Sequence, residues 1–205
     1  MGLIAAISGD ICGSRQAPKD KWLPALRAAL SNFGNEGHDW QIIRGDSFQL
    51  RSPSILLCLH CCIVISATLK AQADVNVRMA IGIGRGGVNG PTISESDGDA
   101  YVYSGTSLDK LKSRRLNLFL KSNNTVFDEK INPSLDMASI IMSRWLPNYA
   151  AAVLVKLEYS SYTQSQLGEH MGLAQNTVSE RLSRAELRTL EAFNTSFQLQ
   201  LKDTF

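Results

Sequence analysis

Two aspartates stand where carboxylates can do chemistry. Asp10 follows an apolar run over residues 3–8, and Asp46 lies in Arg44-Gly45-Asp46-Ser47, between two short apolar stretches of residues 40–50. The first run predicts a buried strand and the second region a hairpin. A carboxylate at the end of a core strand and another in a neighbouring turn can converge on one divalent cation. Hard oxygen ligands of this kind suit Mg2+ together with phosphate and water. Asp10 and Asp46 are therefore candidate metal ligands with Mg2+ as the candidate cofactor, and Ser14 and Arg15 are candidate nucleotide-binding residues placed to meet a phosphate. The plainer role for a Gly-Asp pair is turn chemistry at the end of a strand.

A second constellation spans residues 162–185. Thr163 can cap a helix whose core-facing residues, Leu167 and Met171, are four apart. Gly168 is small where a second helix would cross, Gly172 supplies the left-handed turn that ends the first helix, and Leu173 plugs the angle between the two. Val178 and Leu182 anchor the second helix from one face. Its other face is polar, with Gln175, Asn176, Thr177, Ser179, Glu180 and Arg181, then Ser183 and Arg184. Short polar side chains at a helix N-terminus suit base edges and phosphates. The candidate DNA-binding residues are Gln175, Asn176, Thr177, Ser179, Arg181 and Arg184. The alternative is a helical hairpin that packs on the rest of the chain or on a partner.

Charge supports neither reading strongly. The 205 residues carry a formal net charge of +2, too mild to announce a nucleic-acid binder. Residues 1–147 hold 16 Lys/Arg against 13 Asp/Glu, and residues 148–205 hold 5 against 6, so the segment with the polar helix is slightly acidic. Several classes drop out. The glycine run from Gly82 to Gly90 is followed by no Gly-Lys-Ser/Thr, so it is neither a Walker nor a dinucleotide loop and reads as a turn or extended connection. Cys58, Cys61 and Cys62 have no second pair to close a tetrahedral zinc site. Unpaired thiols fit a reducing compartment, and with no secretory pattern in the first residues the expected location is cytoplasmic. Residues 52–69 have no formally charged side chain and approach the length of a membrane span, but Pro53, His60 and several hydroxyls favour a buried core helix, so no membrane association is expected.

The elements that must position these residues follow from periodicity. Helices are expected over 18–33, 55–71, 97–116 and 133–144, and strands over 75–83 and 123–127. Asp97 or Asp99 is the expected cap of the third helix. Beyond Pro147 only helices are expected: residues 148–159, the pair over 162–185, and a trailing helix with Leu187, Leu190, Phe193 and Phe197 at helical spacing. The boundary is drawn as residues 1–130 and 131–205.

Residues 162–185 resemble the helix-turn-helix of bacterial repressors and sigma-like regulators. In the first half, Ile7-Ser8-Gly9-Asp10-Ile11-Cys12-Gly13-Ser14-Arg15, Arg44-Gly45-Asp46-Ser47-Phe48-Gln49, Arg78-Met79-Ala80-Ile81-Gly82-Ile83-Gly84 and Ser96-Asp97-Gly98-Asp99-Ala100 resemble, in this order, the motifs of the SatD family of bacterial proteins. That pattern is also similar to the palm domain of nucleotidyl cyclases and GGDEF proteins. The resemblance implies an α+β fold, a ferredoxin-like or palm-type sheet with flanking helices, followed by an all-α helix-turn-helix domain. It also implies metals at Asp10 and Asp46 and pairing into a homodimer. Two places depart from it: Cys12-Gly13-Ser14-Arg15 stands where active cyclases have an aromatic turn, and Ser47 where relatives often carry an acid. Arg78 and Arg85 are candidates for a transition-state arginine. The expectation is a DNA-binding regulator whose first domain binds a metal or nucleotide ligand or pairs two copies. The alternative is a cyclase-like, metal-dependent enzyme acting on nucleoside triphosphates.

Overall fold

The apolar run at the start forms the centre of a longer strand, β1 (Gly2–Ile11). The structure, a computed structural model, describes residues 2–43, 45–87, 92–111, 113 and 116–205. Arg44 of the expected hairpin and Gly90 of the glycine run lie outside them. The remaining strands are β2 (Trp40–Ile42), β3 (Ser47–Arg51), β4 (Val77–Gly86) and β5 (Leu118–Lys121). They form one mixed sheet in the order β2-β3-β1-β4-β5, with every neighbouring pair antiparallel except β4 and β5. Among the described residues there are eight α-helices: α1 (Lys19–Ser31), α2 (Cys58–Ala73), α3 (Asp99–Leu111), α4 (Thr125–Ser143), α5 (Pro147–Glu158), α6 (Gln164–Met171), α7 (Gln175–Arg184) and α8 (Leu187–Thr204). The chain is thus a mixed α+β protein.

Successive side chains of a strand point to opposite faces, and β1 uses both. Ala5, Ile7 and Ile11 enter the main core with α1 and α2, while Ala6 packs with Ala100 and Tyr101 of α3 on the other face. The Ser8 and Ser104 hydroxyls meet there at 2.9 Å. The glycine run is not a loop at its start, because Gly82, Gly84 and Gly86 belong to β4. Their two-residue spacing puts all three on the α3 side. A Cβ at Gly82 would fall on the Ala100 carbonyl oxygen, and one at Gly84 would lie 2.9 Å from the Asp99 Cβ. The missing side chains let a helix backbone lie directly on a strand.

The expected strand at 123–127 is a helix start instead. The Asn124 side chain accepts the Phe127 N–H at 3.0 Å and caps α4, whose Phe127, Ile131, Leu135, Ala138 and Met142 form one buried stripe. The strand lies just before it, as β5. That edge strand is closed by a side chain of α4. The Asn132 amide accepts the Leu120 N–H (2.8 Å) and donates to the Leu120 carbonyl (2.9 Å), as a sixth strand would. α4 also runs unbroken through residues 130 and 131, where the sequence suggested a boundary.

The long apolar helix lies in the core. α2, with the 3-10 turn Ile55–Leu57 before it, is long and apolar enough to cross a membrane, yet it packs against α1, α5 and the sheet. Its cysteines are buried, and burial pushes the Cys61 thiol up to about 12, so it stays protonated and inert. One apolar core continues from β1 to Phe197 and Leu201 of α8. The Trp145 indole N–H donates to the Ala185 carbonyl at 2.8 Å, tying the end of α7 to the end of α4.

Two predictions follow from this packing. Gly82→Val forces α3 off the sheet and lowers unfolding free energy in a urea titration by about 1–3 kcal/mol, the usual cost of overpacking. His60 is half-buried edge-on to Phe33, and burial lowers its pKa. The unfolded chain therefore takes up the proton more readily than the folded one. This contribution is complete above the ordinary histidine value of about 6.5 and is lost as pH falls through it towards the lower folded value. Thermal unfolding followed across that window shifts less with pH in His60→Gln than in the wild type.

Candidate functional site

The two aspartates arrive at the same end of the sheet. Asp10 lies at the C-terminal end of β1, with Arg78 of β4 directly opposite on one side and Ser47 of β3 on the other. The Asp46 carbonyl accepts the Ile11 N–H at 3.3 Å, so the turn before β3 is stitched to the residue after Asp10. The Asp46 carboxylate accepts the Ser14 hydroxyl. Arg15, next along that turn, is exposed.

Arg78 is the residue that changes the chemistry. Its Nε donates to Asp10 Oδ1 at 2.8 Å and its Nη2 to Oδ2 at 3.2 Å, a two-pronged pair in which the Asp10 side chain is only 6% exposed. The hydrogen bond to Asp10 raises the arginine's pKa further, and the charges of Asp10 and Asp46 add to it. Between these groups, burial pushes the Cys12 thiol up, against the pull of the Arg78 charge. A divalent cation needs free carboxylate oxygens close to it. Both oxygens of Asp10 are already engaged by a positive group, so the arrangement does not fit a cation bound at Asp10. Sequence reasoning named Arg78 only as a possible transition-state residue. The available signal was a charge within a strand whose neighbours are buried, which requires an opposite charge on the adjoining strand. Arg85, the other candidate, is exposed near the end of β4, in a cleft with Asp99 and Asn124.

The second constellation comes together through local bonds. The Thr163 hydroxyl accepts the Gln166 N–H (3.3 Å) while the Gln166 side chain accepts the Thr163 N–H (2.9 Å), a reciprocal cap on α6. Gly172, at φ 64°, ends that helix, and the Leu173 N–H returns to the Gly168 carbonyl at 2.8 Å. A Cβ at Gly168 would sit 2.7 Å from the Leu173 carbonyl oxygen. Three residues therefore separate α6 from α7, and Leu167 and Val178 are buried between them. α5 packs on α7 from behind.

α7 turns Asn176, Glu180, Ser183 and Arg184 outward, with Gln175 exposed at its start. Thr177, Ser179 and Arg181 are half-buried at the flanks. Gln175 donates to the Gln164 side chain at 2.7 Å, and Arg184 lies 3.8 Å from Glu180 one turn back. Ser179 and Ser183 line an open cleft with Lys156, Tyr162 and Arg188. Lys156 is spent on the chain itself, donating to the Ser160 and Tyr162 carbonyls.

No family model and no curated protein matches the chain by sequence. Two solved structures show a loose likeness. One is a bacterial light-regulated adenylyl cyclase, 12% identical, with a TM-score of 0.36 over 58% of this chain and 77% of that one. The other is a regulator of polyketide synthase expression from Bifidobacterium adolescentis, 15% identical, with a TM-score of 0.30 over 97% of this chain and 80% of that one.

The pair across β1 and β4 predicts a strong asymmetry. Arg78→Ala leaves Asp10 buried without its partner and costs about 3–5 kcal/mol in a urea titration, whereas removing both charges together costs less than the sum of the single changes.

Proposed function

We propose that the chain is a DNA-binding regulatory protein, with α6 and α7 acting as a helix-turn-helix and α7 as the reading helix. The observation that carries this reading is the division of α7 into two faces. Val178 is buried, Leu182 and Ala185 join the core, and Asn176, Glu180, Ser183 and Arg184 stand clear of the protein. A helix of 10 residues is about 15 Å long and fits lengthwise in a major groove about 12 Å wide. Asn176 is suited to the paired donor and acceptor of an adenine, and Glu180 to the amino group of a cytosine. Gln175, Thr177 and Ser179 flank them for bases or phosphates, and Arg181 and Arg184 serve phosphates.

The slightly acidic balance of residues 148–205 has a consequence. A single copy gains little from phosphate attraction, so we propose that two copies bind together, as the two half-sites of a symmetric operator require. The first domain fits the role of partner or sensor. The order β2-β3-β1-β4, with antiparallel neighbours and helices after β1 and β3, supports reading it as a ferredoxin-like, palm-type unit to which β5 adds a further strand. This agrees with the SatD-like motifs. The rival, a metal-dependent enzyme on nucleoside triphosphates, has the shared position of Asp10, Asp46, Ser14 and Arg15 in its favour and the Arg78 pair against it.

A mobility-shift titration on the DNA upstream of the chain's own coding sequence tests the reading. A shift is expected at low salt, with affinity falling as salt rises. Asn176→Ala weakens binding by about 1–3 kcal/mol and relaxes the choice of sequence, whereas Arg184→Ala weakens it on every sequence and reduces the salt slope by about 1. No shift at low salt, or a shift unchanged in both variants, sinks the proposal.

A further inference from the structure

The geometry of Asp10 and Arg78 points to a function for the arginine. Register places the two residues directly opposite each other on β1 and β4, so the pair forms without distortion of either strand. The guanidinium meets both Asp10 oxygens, and only 24% of its side chain is exposed. It is also close enough to Asp46 for that carboxylate's charge to act on it. One fixed positive charge is therefore bonded to Asp10 and acts on Asp46 at the end of the sheet that the two residues share. It stands against both Asp10 oxygens, where a cation held by that carboxylate would stand.

We propose that Arg78 replaces a cation: the guanidinium is the permanent counter-charge of Asp10 and Asp46, and the carboxylate pair takes up no divalent metal while Arg78 is present. An arginine stays charged at any pH at which the chain is folded. It cannot be removed by a chelator, and a metal approaching Asp10 must break two charge-assisted hydrogen bonds and then sit beside a fixed positive charge. Among the described residues, Arg78 is the cation that pairs with Asp10. Lys70, the other buried cation nearby, is committed to Asp74 at 3.1 Å. The first domain then holds its shape, and whatever it contributes to regulation, without metal.

The test uses Mn2+ as the probe, read by loss of the free-ion paramagnetic resonance signal as full-length protein is added. Wild type is expected to leave the signal unchanged. Arg78→Gln is expected to take up the ion at one site per chain, and Asp10→Asn/Arg78→Gln to lose that uptake. Uptake by wild type that disappears in Asp10→Asn overturns the proposal. So does a folded Arg78→Gln that binds no ion, since the pair would then be structural cement and no more. If Arg78→Gln does not fold, the double variant, with no charge left unpaired, reports on folding, and uptake or its absence in wild type decides alone. The outcome is independent of DNA binding by α7: a failed mobility shift leaves the Mn2+ result standing, and the reverse.

Discussion

The pairing of β1 with β4, ten residues each, decides which side chains meet on the two faces of the sheet. β1 is hydrogen-bonded along both edges, so its register is set twice, by β3 and by β4. A slip of one residue against either neighbour would exchange its two faces. Ile7 and Ile11 would leave the core, and Asp10 would enter it.

That register aligns two unlike things on one face. Towards the C-terminal end of β4 are the glycines that let α3 lie on the sheet. Towards its start is Arg78, opposite Asp10. The same ladder thus supplies the close helix packing that stabilises the domain and the charge pair that closes its polar end. The attraction between Asp10 and Arg78 offsets their desolvation only because both partners and both hydrogen bonds are present.

The helical half depends on the first half for its base. α5 packs on α2, the most buried helix, and α7 packs on α5. Trp145 and the apolar positions of α8 join the end of α7 to α4. α7 is held by its inner face through a continuous core, so its outer residues have a fixed position.

Interactions between residues close in the chain were legible from sequence. The cap at Thr163, the left-handed Gly172, the small Gly168, and the division of residues 175–184 into apolar and polar faces all follow from contacts within a turn or two of helix. The core role of the uncharged stretch in α2 and the common end reached by Asp10 and Asp46 followed from composition and strand order. Tertiary structure decided the rest. Whether residues 123–127 formed a strand or a helix start depended on the partner available to Phe127 and Ile131, and the core made a helix the better burial. The glycine run from Gly82 read as a turn or an extended connection because glycine is common in both, and only the arrival of α3 gave the two-residue spacing of Gly82, Gly84 and Gly86 its meaning. Asp10 and Arg78 are 68 positions apart. Nothing local links them, so only sheet register, which follows from the burial of whole strand faces, could show that the carboxylate expected to hold a metal already holds an arginine.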